Sequence, residues 1–590
     1  MSLSFHTYFY LIAEIVILAI ILLACIITFS VMYVKFIKRG LPKRDSALHG
    51  LWWAFVALWM GSPLFIWIST AFNGIHWVGA WVLMSVLWIT GFLNIIKTGP
   101  TYHNSKYKGV INSYFQSLMD GFESIGMLKM GLISLAFIAV AWVLSFFTYN
   151  ICVGIHPFRV TSEISRRMGG ASCPKGQVCN FLLTVPEDLS TSVIVNFHSN
   201  DAPDQTNLQY PISFVLYDVQ SHSSYFNDSL SLSSGNFQNP YAYLSNSTVF
   251  QMSNIKEEDR FVHWADLSSL VPATTYFVVC GYQFEGKLYF SSEKKFRTAP
   301  SDGSSFTFVS GGDMSHAEAG YQLSKAAGES EPLFVMVGGD VAYDSGQACC
   351  YRLWDQWFEK YDEIFVTPSG FTVPLLTAIG NHESTGWKTS RSDVQFYSYY
   401  LPYQLGLQGT LPVNRPFFHS HHIGNDTMIM ILDSEVVETT EDQNAWIQSV
   451  FSNSLYQAKR FKIACYHIAI YPCTKVSLDT EITDSARENW PPIFDSNNLT
   501  IAFENHYHLY KRTKLMKNGE PNPQGTLYIG DGAWGVNTVL KLIDYDYLEK
   551  YGQIQHILRT TITPSQNTIL VESINEDKEV FDSWNRTLSN

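Results

Sequence analysis

The chain has 590 residues, 46% of them hydrophobic and only 15% charged, with a formal net charge of −13. That length exceeds a single domain, and a charge content below the ~25% usual for soluble domains directs part of the chain toward lipid. Residues 1–155 carry a net +5 and the remainder −18; so acidic a remainder argues against nucleic acid as a partner.

Four apolar runs open the chain: Tyr8–Val34, Leu51–Phe72, Trp77–Ile96 and Met130–Tyr149. Each has the length of a membrane span, and Glu14 is the one acidic or basic residue within them. Lys35, Lys38, Arg39, Lys43 and Arg44 follow the first run, and Lys97, Lys106, Lys108 and Lys129 separate the third from the fourth. The bias of basic residues toward the cytosol predicts an integral, multi-pass membrane protein with its N-terminus outside. Everything beyond about residue 150 is then extracellular or in the secretory or endolysosomal lumen. Val110–Ile125 has the spacing of an amphipathic helix at the cytosolic interface, and membrane lipid is an expected partner.

Two features agree with that placement. Glycosylation sequons stand at Asn227, Asn246, Asn425, Asn498 and Asn585, and none precedes residue 150. Eight of the nine cysteines lie at or beyond residue 152, and disulfides suit such a compartment. Cys173 and Cys179 are spaced for a small disulfide loop, and Cys465 with Cys473 for another, although sequence alone does not fix pairing.

Residues 156–300 read as an all-β module. Alternating runs at Val178–Thr184, Ser192–Phe197, Ile212–Val219, Phe261–Asp266, Thr275–Tyr282 and Lys287–Phe290 predict a two-sheet sandwich. Leu270, Pro272, Thr275 and Tyr276 form a loop-then-strand pattern that resembles fibronectin-type-III-like domains. No catalytic constellation is visible here.

From Ser305 onward strands alternate with helices. Apolar runs at 306–310, 333–337, 374–379, 428–432, 461–466, 499–503 and 526–529 predict sheet strands, with a helix over Cys350–Phe365 among them. The polar residues fall at strand ends. Asp313 follows the first run, Asp340 and Tyr343 the second, Asn381, His382 and Glu383 the third. His467 closes KIACYH, His506 and His508 follow LTIAF, and Asp531 follows LYIG. Ligands bind beyond the carboxyl ends of such strands. Taken singly, each of these residues reads equally well as structural, an Asp before a turn being commonly a helix cap. Together, oxygen donors mixed with imidazoles suit Fe, Mn or Zn. Seven ligands suit two ions sharing a carboxylate, ~3.5–4 Å apart, a clamp for phosphoryl chemistry.

GGD at Asp313, GDxxY at Asp340 and Tyr343, GNHE at Asn381, the strand ending in His467 and the HxH of His506 and His508 resemble the five metal-binding motifs of the purple acid phosphatases, within the calcineurin-like metallophosphoesterases. The resemblance spans roughly residues 160–585 and takes in MIMILDSE with Gln443 and Trp446. It implies a dinuclear centre. Asp313, Asp340, Tyr343 and His508 would hold Fe(III), and Asp340, Asn381, His467 and His506 would hold Fe(II), Zn or Mn, with Asp340 bridging. Metal-activated hydroxide would attack a phosphate ester, and His382 would contact the phosphate and assist the leaving group. Asn505 stands where the family usually has glycine. The further histidine that some members carry about ten residues after the fourth motif has no counterpart in Thr474–Ile482.

The expected architecture is therefore an all-α transmembrane bundle over 1–155, a fibronectin-III-like β-sandwich over 156–300 and an α/β metallophosphoesterase sandwich over 301–590. The expected function is a membrane-anchored ecto-phosphatase acting on phosphomonoesters, nucleotides among them. The alternative is a non-catalytic membrane scaffold or receptor with a metallophosphoesterase-like ectodomain.

Overall fold

The structure, a computed structural model, describes residues 23–38, 40, 43, 46–47 and 173–588, apart from 206–207, 227–229, 234–236, 253–254, 256–258, 316–317, 347–349, 407–409, 478 and 539. The chain divides into two compact units, Met1–Ser165 and Arg166–Asn590.

The expectation of a multi-pass integral membrane protein is overturned: among the described residues, no helix is long and apolar enough to cross a membrane. The part of the first apolar run that is described belongs to a helix over 23–38. Leu51–Phe72, Trp77–Ile96, Met130–Tyr149 and Val110–Ile125 lie outside the described residues, as do Glu14, Cys152, Asn227 and Cys349.

The second unit begins with a β-sandwich. Cys179–Thr184, Val193–Ser199 and Phe261–Leu267 form one side. Ser213–Asp218, Thr275–Phe284, Lys287–Phe290, Leu230–Ser233 and Lys294–Arg297 form the other. Tyr243–Gln251 serves both, pairing Ser247–Gln251 with Phe261–Leu267 on the first side and Tyr243–Asn246 with Ser213–Asp218 on the second. Phe181, Val195, Ala265, Val215, Val278 and Phe296 fill the space between them. A disulfide joins Cys173 to Cys179, as their spacing predicts.

Beyond the sandwich, two sheets pack face to face. One places Val580–Thr587, Thr568–Asn575, His556–Thr563, Phe306–Gly311, Val335–Val337 and Leu375–Thr377 side by side. Leu375 pairs in parallel with Thr184, so the sandwich continues the same sheet. The other runs His419–Ile423, Thr427–Ile431, Phe461–Ile468, Ile501–Asn505, Leu527–Gly530, Tyr510–Thr513, Leu548–Gly552. The period of two decides what each strand offers. In Thr427–Ile431, Ile429 and Ile431 enter the core between the sheets, with Phe308, Phe334, Met336 and Phe503. Met428 and Met430 face outward, toward a core shared with helices Asn444–Ser452, Thr480–Asn489 and Pro491–Ser496. Helices Glu318–Glu329 and Tyr351–Ile364 cover the first sheet, the latter through Trp354, Trp357 and Tyr361.

Packing also corrects the second disulfide expectation. Cys465 shares the inter-sheet face with Phe461 and Ile463, whereas Cys473 packs with Leu509 and Leu548 in a separate cluster, and both are free thiols. A buried ion pair ties the helix to the sandwich, with Arg260 Nη1 donating to Asp355 Oδ1 at 2.7 Å. Asn246, Asn425, Asn498 and Asn585 are exposed.

Candidate metal centre

The face that carries Phe461, Ile463 and Cys465 next presents His467, at the carboxyl end of its strand. There the imidazole reaches the opposite sheet, and its Nδ1 donates to the Gly338 carbonyl at 2.8 Å. The neighbouring strand behaves alike: after Ile501 and Phe503 comes Asn505, whose Nδ2 donates to the Tyr466 carbonyl at 2.8 Å. A Cβ on Gly312 or Gly338 would collide with that amide. Gly339 is required on conformational grounds as well, with φ +95.

Asp313 and Asp340 meet because their turns are bonded to each other. The Asp313 N–H donates to the Gly339 carbonyl at 3.0 Å, and the Met314 N–H to the Asp340 carbonyl at 2.9 Å. One ligand atom from each of Asp313, Asp340 and His467 lies within 4.8 Å of the others, and all three residues are buried. Asp340 Oδ1 accepts the His382 N–H at 2.8 Å and stands 3.4 Å from His467 Nε2. Its Oδ2 is buried with no hydrogen-bond partner. An orphaned, buried carboxylate oxygen is costly in the absence of a compensating charge, and a cation shared at this point fits it. Burial pushes the Asp340 carboxyl up, but His467 and His382 outweigh it and hold the group well below the usual carboxylate range. Burial draws the His467 imidazole down, while Asp340 and Asp313 carry it up to about 10.

The other sequence-predicted residues collect on either side. Toward Asp313, the Tyr343 hydroxyl donates to Oδ1 at 3.3 Å, and His508 Nε2 stands 3.1 Å from the same oxygen. Toward His467, Asn381 Oδ1 is 2.9 Å and His506 Nδ1 3.2 Å from Nε2. The His382 ring stacks on Tyr343, centroids 4.7 Å apart, with Nδ1 3.3 Å from Ser345 Oγ. Asp313, Asp340, Tyr343, His506 and His508 all have positive φ, between 55° and 86°. Non-glycine residues hold that conformation only where surroundings impose it, and they gather at functional sites. Asp531, also at a strand end, stays behind this group: it is buried and accepts the Tyr507 N–H at 3.4 Å.

Two residues that sequence reasoning assigned no role organise the site. Glu383, fully buried, accepts the backbone N–H groups of Asp340 at 2.8 Å, Val341 at 2.7 Å and Gly380 at 2.8 Å. It thereby joins the GDxxY turn to the GNHE turn. Asp479 Oδ2 faces His506 Nε2 at 3.0 Å, and its Oδ1 accepts from Trp387 Nε1 at 3.2 Å. The only sequence signal for Asp479 is that of a helix cap.

Residues 178–298 match the family described as Purple acid Phosphatase, N-terminal domain. Purple acid phosphatase 18 of Arabidopsis thaliana is 23% identical over 299 residues, 50% of this chain and 63% of that protein. An uncharacterised Mycobacterium tuberculosis protein is 21% identical over 250 residues, 38% of this chain and 45% of its own. The Arabidopsis protein named probable inactive purple acid phosphatase 9 is 23% identical over 237 residues, 36% of this chain and 35% of its own. The chain thus spans about half the length of the curated relatives it matches. A purple acid phosphatase from yellow lupin (Lupinus luteus) seeds shares the fold, with TM-score 0.55 at 16% identity over 69% of this chain and 74% of that one. The matched domain, the phosphatase relatives and the shared fold support a relationship of this chain to the purple acid phosphatases, a metallophosphoesterase family that implies a dinuclear metal centre.

Proposed function

We propose that this chain is a metal-dependent phosphoric-monoester hydrolase acting on phosphomonoesters, nucleotides among them. The observation that carries this reading is the buried convergence of Asp313, Asp340 and His467, with an unpartnered Asp340 oxygen among them.

In this reading Asp313, Asp340, Tyr343 and His508 would hold one ion, Fe(III), and Asp340, Asn381, His467 and His506 would hold the other, Fe(II), Zn or Mn. The Tyr343 phenol suits ferric iron because a phenolate oxygen is hard and donates charge. Burial first, then Asp313, Asp340 and Glu383, raise its pKa, so the phenol keeps its proton unless a positive charge stands beside it. Asn381 brings a neutral amide oxygen to the other position, which leaves more charge there for an anionic substrate. When bound, such a pair polarises a phosphoryl oxygen and lowers the pKa of water. His382, held by its stack on Tyr343 and by its backbone bond to Asp340, is placed to contact the phosphate and to hand a proton to the leaving oxygen. The exposed sequon residues Asn246, Asn425, Asn498 and Asn585 are its proposed glycosylation sites.

The test is to express the full chain, measure its metal content and visible absorption, and assay p-nitrophenyl phosphate hydrolysis. Coloured protein with two metals and turnover is expected. Metal-free, colourless, inert protein overturns the reading, and metal-loaded protein without turnover leaves a non-catalytic relative.

A further inference from the structure

Asp479 occupies the N-cap position of helix Thr480–Asn489, where an aspartate ordinarily turns its carboxylate back onto the helix's first N–H groups. Here the side chain makes no cap hydrogen bond. It is 7% exposed, and both oxygens are directed away from the helix. Oδ2 lies 3.0 Å from His506 Nε2, and Oδ1 accepts from the Trp387 indole at 3.2 Å. The Trp387 ring meets His506 edge to face at 5.1 Å between centroids. Nearby, Lys388 Nζ bonds Glu481 Oε1 at 2.7 Å, so Trp387 and Lys388 meet the start of this helix at two points.

The Asp479 carboxylate decides which nitrogen of His506 is free. A neutral imidazole carries one N–H, and an acceptor carboxylate at Nε2 holds the proton there. Nδ1 is left as the lone pair, and Nδ1 is the atom 3.2 Å from His467 Nε2. His467 is arranged likewise by a different partner: its Nδ1 donates to the Gly338 carbonyl and its Nε2 faces inward.

We propose that Asp479, steadied by Trp387, is a positioning residue that fixes the ring orientation and tautomer of His506, so that Nδ1 is presented to the metal. The proposal rests on the two-metal reading above. A carboxylate partner also makes the imidazole a stronger donor, and outer partners of this kind are typically worth ~10–100-fold in metal affinity. Asp479 gives up a helix cap to do this, which is the mark of a side chain retained for another task.

The experiment titrates zinc into the metal-stripped full chain against a chelator, for wild type, Asp479→Ala, Asp479→Asn and Glu481→Gln. Wild type is expected to bind two ions. Asp479→Ala should weaken one of the two sites ~10–100-fold and leave the other unchanged, with Asp479→Asn between it and wild type. Glu481→Gln breaks the neighbouring exposed ion pair without touching His506 and should match wild type. A second readout needs no metal: in the stripped protein, a hydrogen-bonded His506 Nε2–H proton should be visible by NMR in wild type and absent in Asp479→Ala. Two sites of unchanged affinity in folded Asp479→Ala overturn the proposal, as does an unaltered His506 proton. A wild-type chain that binds no pair of ions instead overturns the two-metal reading itself.

Discussion

The Glu383 carboxylate accepts the backbone N–H of Asp340 at 2.8 Å, so one buried acid holds the turn that delivers another. Val341 and Gly380 donate to the same carboxylate. Asp340 has φ +55, which no side chain prefers, and Glu383 supplies the acceptors that its turn leaves without sheet partners. Replacing Glu383 by Ala orphans three buried donors, at ~1–3 kcal/mol for each unpaired group. Urea unfolding of Glu383→Ala should therefore show a loss on the order of 3 kcal/mol or more, with Glu383→Gln losing less because one acceptor oxygen survives. A loss under about 1 kcal/mol for the alanine variant would count against this role.

Tyr343 contributes a phenol oxygen near Asp313 and His508 and a ring face to His382. Tyr343→Phe keeps the ring and removes the oxygen. The expected outcome is loss of the visible band of the purified protein with the metal at the Asn381, His467 and His506 side retained. Absorption and metal analysis of the same sample check it; an undiminished band shows that the colour arises elsewhere.

Arg260 and Asp355 are buried across the junction between the sandwich and helix Tyr351–Ile364. Removing one partner of a buried pair costs about 3–5 kcal/mol because the remaining charge is stranded. Asp355→Ala should fall in that range by denaturant unfolding, and the double variant Arg260→Leu with Asp355→Leu should recover part of the loss. Equal destabilisation by the single and double variants would show that packing, rather than charge, is at stake.

His556 is buried beneath Tyr510 with Nδ1 3.0 Å from the Ile554 carbonyl, and burial draws its pKa down to about 4. Between pH 6.5 and 4 the unfolded chain binds a proton that the folded chain does not. The contribution of this group to stability is thus complete above pH 6.5 and is lost as pH falls, by about 3 kcal/mol at full extent. Unfolding free energies of His556→Asn between pH 7.5 and 4 should show a slope shallower than wild type by about 1.4 kcal/mol per pH unit in that window. Parallel slopes would place the titrating group elsewhere.

Much of the second unit was legible in the sequence because its strands bury both faces or alternate cleanly. The sequence pattern marks Lys287–Phe290 to the residue, and Phe306–Gly311, Phe461–Ile468 and Thr275–Phe284 within two residues. Tyr243–Gln251 escaped because it changes partners midway and is largely exposed at Tyr243 and Leu244, so no alternation survives. The grouping of Asp313, Asp340 and His467 was legible from their places at strand ends. Glu383 and Asp479 were not given their roles: each acts through tertiary hydrogen bonds, and locally one reads as part of a motif and the other as a cap. Cys465 and Cys473 show the converse error, since the strand ends at Ile468 and eight residues of separation carry Cys473 into a different cluster. Apolar length in the first 155 residues was the weakest guide: among the described residues, no helix is long and apolar enough to cross a membrane.

Asp340 is the residue on which the account turns, because both proposed ions share it. The most direct measurement is the number of metal ions per chain in the purified full-length protein and in Asp340→Asn, taken on folded samples. Two per wild-type chain and essentially none in the variant is the predicted result. A variant that retains both ions, or a wild-type chain that holds only one, contradicts a shared carboxylate between two metals.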